Sequence, residues 1–578
     1  RIDDLSVILA QRPSELLPAI EEATTAGVLV ADGDRMAFRH ALVRQALYDG
    51  MAHAVRATLH RQAAERLDGS GAPIDTVARQ LAAVPAAVDA WTIGWVLTNG
   101  ERVATQAPDI GLDLIRRVVA GSDPTDPRLE ELTASLARIR YWLGELPEDE
   151  ARSVLAITRD PDLAGEMHWI LGVVFYRRGM EQRSVTTLRE AASSADVSPT
   201  WRARCRALLA AREGIGLGAR ADAESTARTA IQEAEQAGDA FAKALALQNL
   251  WLFRSIDRDH TEGLRLVDEA LRLLNNPRAA DPQLAHLHLS LLDNRVFSLQ
   301  NLDRLADADE TLRVAAEVER RNRLPAGLPV PTAVQHYWTG RWDQAITELS
   351  AVVDARGLDM AFHGLRESGP MLLLLHGVAA LIAALRDDET GVTDHLAAAD
   401  ELPLLTSADR ENTDFLLMAE AFAAERAGQP EAALLVLAPV LNEGYSSMML
   451  RHQWLPDAAR IALRAGHTDV AARALEMCEI EARREKRPAR ATAAAGHCRG
   501  LVIDDPDPVL WAAAHYEQVG RPVELAQALE NAAVLLARTG DDAAARGTLD
   551  KAIRHYEALG AAWAVRRATE RVDDVMAR

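Results

Sequence analysis

The chain of 578 residues contains little cysteine and no long uninterrupted hydrophobic run. Its three cysteines, Cys205, Cys478 and Cys498, lie far apart and form no C-x-x-C pair, so a reducing cytoplasm is the simplest setting. The longest apolar run, residues 371–385, is interrupted by His376 and is too short to span a bilayer. Because no signal peptide is recognisable either, the sequence predicts a soluble cytoplasmic protein without a membrane segment.

Aromatic residues are also scarce. They make up 4% of the chain, whereas hydrophobic residues make up 48%, so alanine and leucine dominate the apolar content. This composition suits closely packed helices better than sheets. The net charge of −21 would repel a phosphate backbone, which makes this stretch by itself a poor nucleic-acid binder.

Catalytic and phosphate-binding motifs are missing. The only lysines are Lys243, Lys486 and Lys551, and none follows a glycine, which excludes a P-loop. No His-Glu-x-x-His and no Gly-x-Ser-x-Gly occurs, and the carboxylates follow the pattern of a solvated helix face. The one basic cluster, residues 483–487 with Arg490, fits a helix end better than a nucleic-acid patch. The sequence therefore predicts no enzyme, no catalytic residue and no metal site.

The stretch from Trp169 to Ala192 reads as two helices joined by a turn at Gly179. Small residues, Gly172 and Ser184, stand where the two backbones must cross closely, and large residues follow at helical spacing. This is the spacing of a tetratricopeptide repeat, with a period of roughly 34 residues. One such hairpin cannot bury its apolar face alone, so neighbouring copies are expected.

Further copies share the same offsets from a turn glycine. These glycines are Gly340, Gly428, Gly466 and Gly540, and copies without the glycine occur at 299–315 and 383–399. The alternative is ordinary antiparallel helix packing that uses alanine and leucine. The copies agree in the spacing of their residues from the turn, and not only in composition. This agreement favours an all-α fold, namely a tetratricopeptide-like superhelix.

The first 85 residues differ from the array. A helix over 14–26 ends at Gly27, two β-prone runs join at an Asp32-Gly33 turn, and helices follow over 40–51 and 55–67. This order is that of a winged helix. The predicted domains are a winged-helix module at 1–85, a first half of the superhelix at 86–324 and a second half at 332–578. Between the halves, three prolines in residues 324–331 are expected to exclude a helix and form a hinge.

Residues at both ends resemble a known family. The segments Phe38-Arg39-His40-Ala41-Leu42 and 59–67, and near the other end Tyr556-Glu557-Ala558-Leu559-Gly560, are similar to the large ATP-binding regulators of the LuxR family. These relatives of the maltose-regulon activator belong to the STAND class of signalling ATPases. The resemblance implies a piece of a longer protein, without its ATPase core and its C-terminal helix-turn-helix.

The resemblance also implies roles for residues. In this class the winged helix closes on the bound nucleotide, and a histidine in the matching Phe-x-His-x-Leu context touches its phosphates. His40 stands at that position, although it would also serve simply to start its helix. The full-length protein would bind ATP or ADP, whereas this fragment would hold no cofactor, and promoter DNA would be bound only by the missing module.

The superhelix predicts a binding surface. Its concave face is suited to an inducer, either a small molecule or a regulatory protein. Six aromatics near the first helices are candidates to line it, though such residues are more often core: Trp169, Tyr176, Trp251, Tyr337, Trp338 and Trp342. The predicted function is the sensor region of an ATP-dependent regulator that can oligomerise. The alternative is a stand-alone scaffold for protein–protein interaction.

Overall fold

The structure is a computed structural model, and it describes most of the chain. The described residues are 2–33, 35–83, 88–216, 220–274, 282–322, 328–354, 360–362, 365–367, 369–402, 404, 410–442, 444–446 and 449–577. The chain divides into two compact units, Arg1–Leu171 (unit 1) and Gly172–Arg578 (unit 2). The break falls inside one helix, Pro161–Arg177.

Unit 1 consists of helices and one β-hairpin. The helices are Ile2–Leu9, Pro13–Thr25, Ala41–Asp49, His53–Gly69, Ile74–Ala83, Ala90–Gln106, Pro108–Gly121, Leu129–Trp142, Glu148–Leu155 and the greater part of Pro161–Arg177. Strands Leu29–Asp32 and Arg35–Phe38 pair antiparallel, with Leu29 opposite Phe38. The predicted helix, hairpin and two following helices are therefore all present. A winged-helix role for them stays a prediction.

The core of unit 1 lies well beyond the hairpin. Val77, Val96, Ile115 and Ile139 are fully buried in one cluster that runs from residue 64 to residue 139. By contrast, the helix Ala41–Asp49, here called the module helix, has no buried residue. The first part of unit 1 is thus held by few apolar contacts of its own.

Unit 2 is an array of antiparallel helix pairs. Its helices are Glu181–Ser193, Pro199–Ala211, Arg220–Ala237, Ala240–Ile256, His260–Leu274, Pro282–Asn301, Leu305–Asn322, Pro329–Trp338, Trp342–Asp354, Gly369–Arg386, Glu389–Asp400, Asp414–Arg426, Pro430–Val436, Leu455–Arg464, Thr468–Ala482, Arg490–Ile503, Pro506–Val519, Pro522–Arg538, Asp542–Leu559 and Ala562–Met576. A small antiparallel ladder, Met360–Phe362 with Leu365–Glu367, was not predicted. The fold class is all-α, as the sequence predicted.

The turn glycines of the array have the predicted conformation. Gly179, Gly340, Gly428, Gly466 and Gly540 all have φ between +71° and +81°, the left-handed region that side chains disfavour. The alanines that follow them at the repeat offset, such as Ala433, Ala471 and Ala545, are fully buried. The repeat pattern is therefore confirmed within the described pairs.

The prolines near residue 330 do not exclude a helix. Pro329 and Pro331 lie in the first turn of the helix Pro329–Trp338, so this prediction was wrong. A proline is tolerated there because the first N–H groups of a helix have no partner inside it. The rest of the predicted hinge, residues 323–327, lies outside the described residues.

No helix in the described part of the chain combines the length and apolar character needed to cross a membrane.

The crossing at Gly172 shows why small residues recur. Ser184 Oγ donates a hydrogen bond to the Gly172 carbonyl at 2.5 Å, so the two backbones are in close contact. A Cβ atom on Gly172 would lie 2.6 Å from Cδ2 of Leu188, which is fully buried. The pair can pack this way only because position 172 has no side chain.

We therefore expect Gly172→Ala to lower stability. The helix-propensity gain of about 1 kcal/mol is outweighed by about 1–3 kcal/mol of overpacking against Leu188. Gly547→Ala is the matched control, because a Cβ there meets nothing within 4 Å. The midpoint of thermal unfolding, followed by circular dichroism at 222 nm, should fall for Gly172→Ala and stay or rise for Gly547→Ala. Equal midpoints would contradict the close crossing.

Candidate functional site

The six aromatic residues predicted to line a binding surface are buried. Their side chains are between 0% and 6% exposed, so in this conformation they offer almost no surface to a ligand: Trp169, Tyr176, Trp251, Tyr337, Trp338 and Trp342. Several satisfy their polar atoms internally. Trp251 Nε1 donates to Ser298 Oγ at 2.8 Å, and Trp342 Nε1 donates to the Tyr337 carbonyl at 3.0 Å. A partner-binding role for these residues stays a prediction, and it would require the repeats to separate.

His40 lies at the start of the module helix in unit 1. It is exposed, occupies the N-cap position and makes no capping hydrogen bond with its side chain. The imidazole is therefore not used to hold the helix start. Its proposed contact with a nucleotide stays a prediction.

The interior of unit 2 between residues 337 and 572 is filled with side chains. Trp338, Phe415 and Trp454 form an aromatic cluster with ring centroids 5.0–6.2 Å apart. The guanidinium of Arg490 lies 4.0 Å from the centre of a Trp338 ring, and the side chain of Arg490 is 2% exposed. Arg490 thus belongs to the core, and the basic cluster predicted around it is not one continuous surface.

Buried ion pairs also lie in this interior. We call the group Glu425, Asp457, Arg460, Glu530, Arg567 and Arg571 the ion-pair network. Arg567 Nε and Nη2 donate to the two oxygens of Glu530 at 3.0 and 2.6 Å. Arg460 binds Glu425 and also donates from Nε to Asp457 at 3.0 Å. The expectation that the carboxylates follow a solvated face was therefore wrong for these positions.

The network lowers the pKa of its two glutamates, Glu425 and Glu530, whereas burial raises the pKa of Asp457. Burial alone would raise the pKa of Glu425, but the adjacent Arg460 guanidinium outweighs it and lowers the pKa to about 2. Arg567 and Arg571 likewise hold the pKa of Glu530 far below its usual range despite complete burial. Because isolated charges in an apolar interior are costly, loss of one partner is expected to cost about 3–5 kcal/mol.

A second polar group lies between the helices Ala240–Ile256 and Pro282–Asn301. Gln248 Nε2 donates to Ser290 Oγ and to Asn294 Oδ1, both at 2.7 Å. We call these three residues the Gln248 cluster. The buried Oε1 of Gln248 receives no hydrogen bond from any described residue. A buried acceptor left unpaired costs about 1–3 kcal/mol, so the cluster has unused capacity for a hydrogen-bond donor.

Two carboxyl groups of unit 2 differ from the ion-pair network because no described residue holds them by a hydrogen bond or an ion pair. Asp293 lies one turn before Phe297, so the two share a face of their helix. Burial raises the pKa of Asp293 to about 7. Burial also raises the pKa of Glu411 to about 8, although Arg258 and Arg410 partly oppose it. Asp293 is therefore mostly protonated only below about pH 7, and Glu411 below about pH 8.

Metal binding has no support from the described residues. No three or more His, Cys, Asp or Glu side chains in the described ranges are arranged to hold an ion. Cys478 and Cys498 lie with their Sγ atoms 3.8 Å apart and remain thiols.

The ion-pair network is not predicted by the sequence pattern. Each of its residues stands on a helix next to other charged residues, so the pattern alone resembles a solvated face. One signal was present: the repeats carry arginine and glutamate on the first helix of several pairs, as at Glu425, Arg460 and Glu530. First helices line the inside of such arrays.

Comparison with known proteins does not assign the chain to a family. No protein-family profile and no curated protein sequence matches the chain. Among solved structures, a Rap protein complexed with competence and sporulation factor has a TM-score of 0.37 at 10% identity, covering 68% of this chain and 100% of that one.

Two other structures are similar at the same low level. A signal transduction ATPase with numerous domains and a tetratricopeptide repeat sensor, from Pyrococcus horikoshii, has a TM-score of 0.33 at 10% identity and covers 77% of this chain. This chain spans 62% of that protein's length. The hetero-tetramer Cut9–Hcn1 of APC/C has a TM-score of 0.30 at 13% identity, covering 88% of this chain and 94% of that one. Such weak likenesses carry no argument about function, and the assignment of a helical-repeat fold rests on the helix pairs themselves.

Asp293 predicts a specific pH dependence. In the unfolded chain the carboxyl group of Asp293 ionises at about pH 4, whereas in the folded chain it keeps its proton up to about pH 7. It thus stabilises the fold fully below about pH 4, and this contribution is lost as the pH rises through about 7. Asp293→Asn cannot ionise, so it should exceed the wild type in stability at pH 8, by up to about 4 kcal/mol, and match it at pH 4.

The measurement is urea unfolding at both pH values. Asp550→Asn is the control, since Asp550 is exposed on the helix Asp542–Leu559 and the substitution changes the charge equally. If Asp293→Asn lost stability at both pH values, the carboxylate would have to be ionised and paired in the folded chain.

Proposed function

We propose that this chain is the sensor and regulatory region of an ATP-dependent transcription regulator similar to the LuxR-family STAND proteins. Unit 1 would dock on an ATPase and restrain it. Unit 2 would respond to an inducer, either a small molecule or a regulatory protein. The activated protein would oligomerise in the cytoplasm, and DNA would be bound by a module outside this chain.

The observation that carries the proposal is the uncovered module helix of unit 1. It has nine residues and none of them is buried. Leu42 is 83% exposed and Leu47 is 55% exposed. A helix this short is marginal without packing, and clustered exposed apolar residues mark an interaction site. A docking partner that covers this helix accounts for both features.

The neighbouring elements extend the same surface. Apolar side chains are also exposed on the strand before the module helix and the helix after it: Phe38, Val55 and Leu59. Arg39 and Arg44 are exposed and form no ion pair with any described residue. These two exposed guanidinium groups and the exposed imidazole of His40 favour an anionic partner, and nucleotide phosphates on an ATPase fit that description.

This chain could supply only part of a nucleotide-binding site. It has no lysine after a glycine, so the main phosphate loop would belong to another part of the protein. His40, at the exposed start of the module helix, is the residue that would touch the phosphates. Its role would be to keep the lid of the ATPase closed while nucleotide is bound.

Unit 2 supports the sensing part of the proposal. Gln248 Oε1 receives no hydrogen bond from a described residue, and Asp293, whose pKa burial raises to about 7, lies on the next first helix. A ligand with hydrogen-bond donors would satisfy these groups. It would favour whichever arrangement of the repeats binds it better, and the equilibrium would shift by that difference in affinity.

A stand-alone scaffold is the second candidate. The repeat array itself favours it, because stacked helix pairs are commonly used to bind peptides or partner helices. A scaffold would not need an ATPase, so the uncovered module helix would have to bind an unrelated protein.

The reading frame that contains this chain separates the two candidates. The regulator proposal expects a P-loop motif encoded upstream and a helix-turn-helix encoded downstream. For sensing, thermal-shift assays of the chain against metabolites and candidate partner proteins should give a rise in the unfolding midpoint with at least one compound, because a ligand that binds only the folded state stabilises it. An uninterrupted frame without a P-loop would refute the regulator role.

His40→Ala tests the nucleotide contact in the full-length protein. The substitution should not destabilise the module helix, because the imidazole makes no capping hydrogen bond there. It should weaken ADP binding by about tenfold, the value of one charge-assisted hydrogen bond of about 1.5 kcal/mol. His53→Ala, at the exposed start of the next helix, is the control. Equal ADP affinities in isothermal titration would exclude the contact.

A further inference from the structure

Two turns of unit 2 make contacts that a simple repeat array would not make. In such arrays each helix pair contacts its neighbours in sequence. Here Arg258 binds Glu481 and Asp303 binds Arg521, partners that lie 223 and 218 residues further along the chain. The array therefore coils back so that early turns meet late helices within unit 2.

Arg258 lies in the turn between Ala240–Ile256 and His260–Leu274. Its Nε and Nη2 donate to the same oxygen of Glu481 at 3.1 and 3.0 Å, and Nη2 also donates to the Met449 carbonyl at 2.7 Å. The other oxygen of Glu481 lies 2.5 Å from His452 Nδ1. The side chains of Arg258, Glu481 and His452 are buried, so water does not screen the attraction between Arg258 and Glu481.

Asp303 lies in the turn between Pro282–Asn301 and Leu305–Asn322. One of its oxygens accepts from Arg521 Nε at 2.5 Å and the other lies 2.7 Å from His515 Nε2. Arg521 also donates to the carbonyl of Gln300, just before the turn. Burial opposes ionisation of Asp303, but Arg521 and His515 outweigh it and lower its pKa to about 2.

A third turn makes a weaker contact of the same kind. Asp387, between Gly369–Arg386 and Glu389–Asp400, binds Arg566 Nη2 at 2.7 Å. This pair is partly exposed, with 33% of Asp387 and 51% of Arg566 accessible, so it contributes little to stability by itself.

The three turn residues share an unfavourable backbone conformation. Arg258, Asp303 and Asp387 have φ of +62°, +56° and +71°, in the left-handed region. Glycine fills this position in other turns of the array, as at Gly179 and Gly340. A residue with a side chain costs roughly 1–2 kcal/mol more there, and such strain persists only where surrounding contacts enforce it.

We propose that Arg258, Asp303 and Asp387 are turn latches, which fasten early turns of the array to Glu481, Arg521 and Arg566 and hold unit 2 in a closed coil. The contacts between neighbouring helix pairs form the array. Contacts inside the core, such as those of Trp338 with Trp454 and Arg490, also join distant parts of the array. The turn latches set how firmly the early turns stay attached to the late part. This inference concerns unit 2 alone and does not depend on the proposed regulator role.

Asp504 shows that the backbone conformation alone does not make a latch. It too has a left-handed φ, of +56°, in the turn between Arg490–Ile503 and Pro506–Val519. Its partner Arg538, at 2.7 Å, belongs to Pro522–Arg538, the first helix of the next pair, and the pair of charges is exposed. Asp504 is therefore a matched control, with the same turn position and charge but only a nearby partner.

The scarcity of lysine provides a clean measurement of closure. Lys486 Nζ lies 2.8 Å from Asp259, so this pair joins the connection after the helix Thr468–Ala482 to the Arg258 turn. Lys243 Nζ lies 2.7 Å from Glu235, a contact within one part of the array. A carbodiimide would convert each pair into an amide with loss of water, and peptide mass spectrometry would quantify both links in the same sample.

The decisive comparison uses the chain with Arg258→Gly, alone and combined with Asp303→Gly or Asp504→Gly. Glycine relieves the strain of these turns, so local helix pairing should survive. Adding Asp303→Gly should lower the yield of the Lys486–Asp259 link at least about fivefold, which corresponds to about 1 kcal/mol of closure. Adding Asp504→Gly should leave it unchanged, and the Lys243–Glu235 link should stay constant throughout.

Equal Lys486–Asp259 yields in all three variants would overturn the proposal, because Asp303 would then not help to hold the coil closed. If a double variant lost the Lys243–Glu235 link as well, it would be unfolded. Asp303→Asn in the otherwise unchanged chain would then decide, since asparagine tolerates the left-handed conformation. It must lower the Lys486–Asp259 yield relative to Asp504→Asn, and equal yields would again refute the latch.

Discussion

Buried arginine–carboxylate pairs limit how the helices of unit 2 can be arranged. An ion removed from water loses several kcal/mol of hydration, and only close, well-directed hydrogen bonds offset this loss. Glu530 meets Arg567 and Arg571 from one other helix, while Glu425 meets Arg460 from another. A small shift of one helix would leave a buried charge unpaired. The pairs therefore specify one arrangement more than they add net stability.

This dependence follows from the composition. Alanine at the helix crossings, as at Ala433, Ala471 and Ala545, lets backbones approach closely but supplies little volume to fill the inside of a coiled array. Few aromatics are present to fill it. Long arginine and glutamate side chains occupy the remaining space, and their apolar stems pack while their charged ends pair. Arg490 over Trp338 combines both kinds of contact.

The sequence predicts what depends on neighbouring residues. Turn glycines, the Ser184–Gly172 crossing and the Leu29–Phe38 hairpin follow from local spacing, and the structure contains them. The closed coil was beyond sequence reasoning, because a repeat period fixes each helix pair but not the pitch that brings residue 258 to residue 481. A signal was available, however. Charged residues stand in the turns 257–259 and 302–304, where glycine would be the usual choice.

Under the proposed function, the position of the Gln248 cluster links ligand binding to the closed coil of unit 2. Gln248 and the Arg258 turn belong to one helix and the residues just after it, about 15 Å apart at 1.5 Å per residue. A helix moves as a rigid body, so a ligand that rotates it to pair Gln248 Oε1 would also move Arg258 relative to Glu481. The buried pair tolerates little displacement. Ligand binding at the Gln248 cluster would then compete with the Arg258–Glu481 pair that keeps the coil closed. A two-state sensor requires such competition between ligand binding and one of its two conformations.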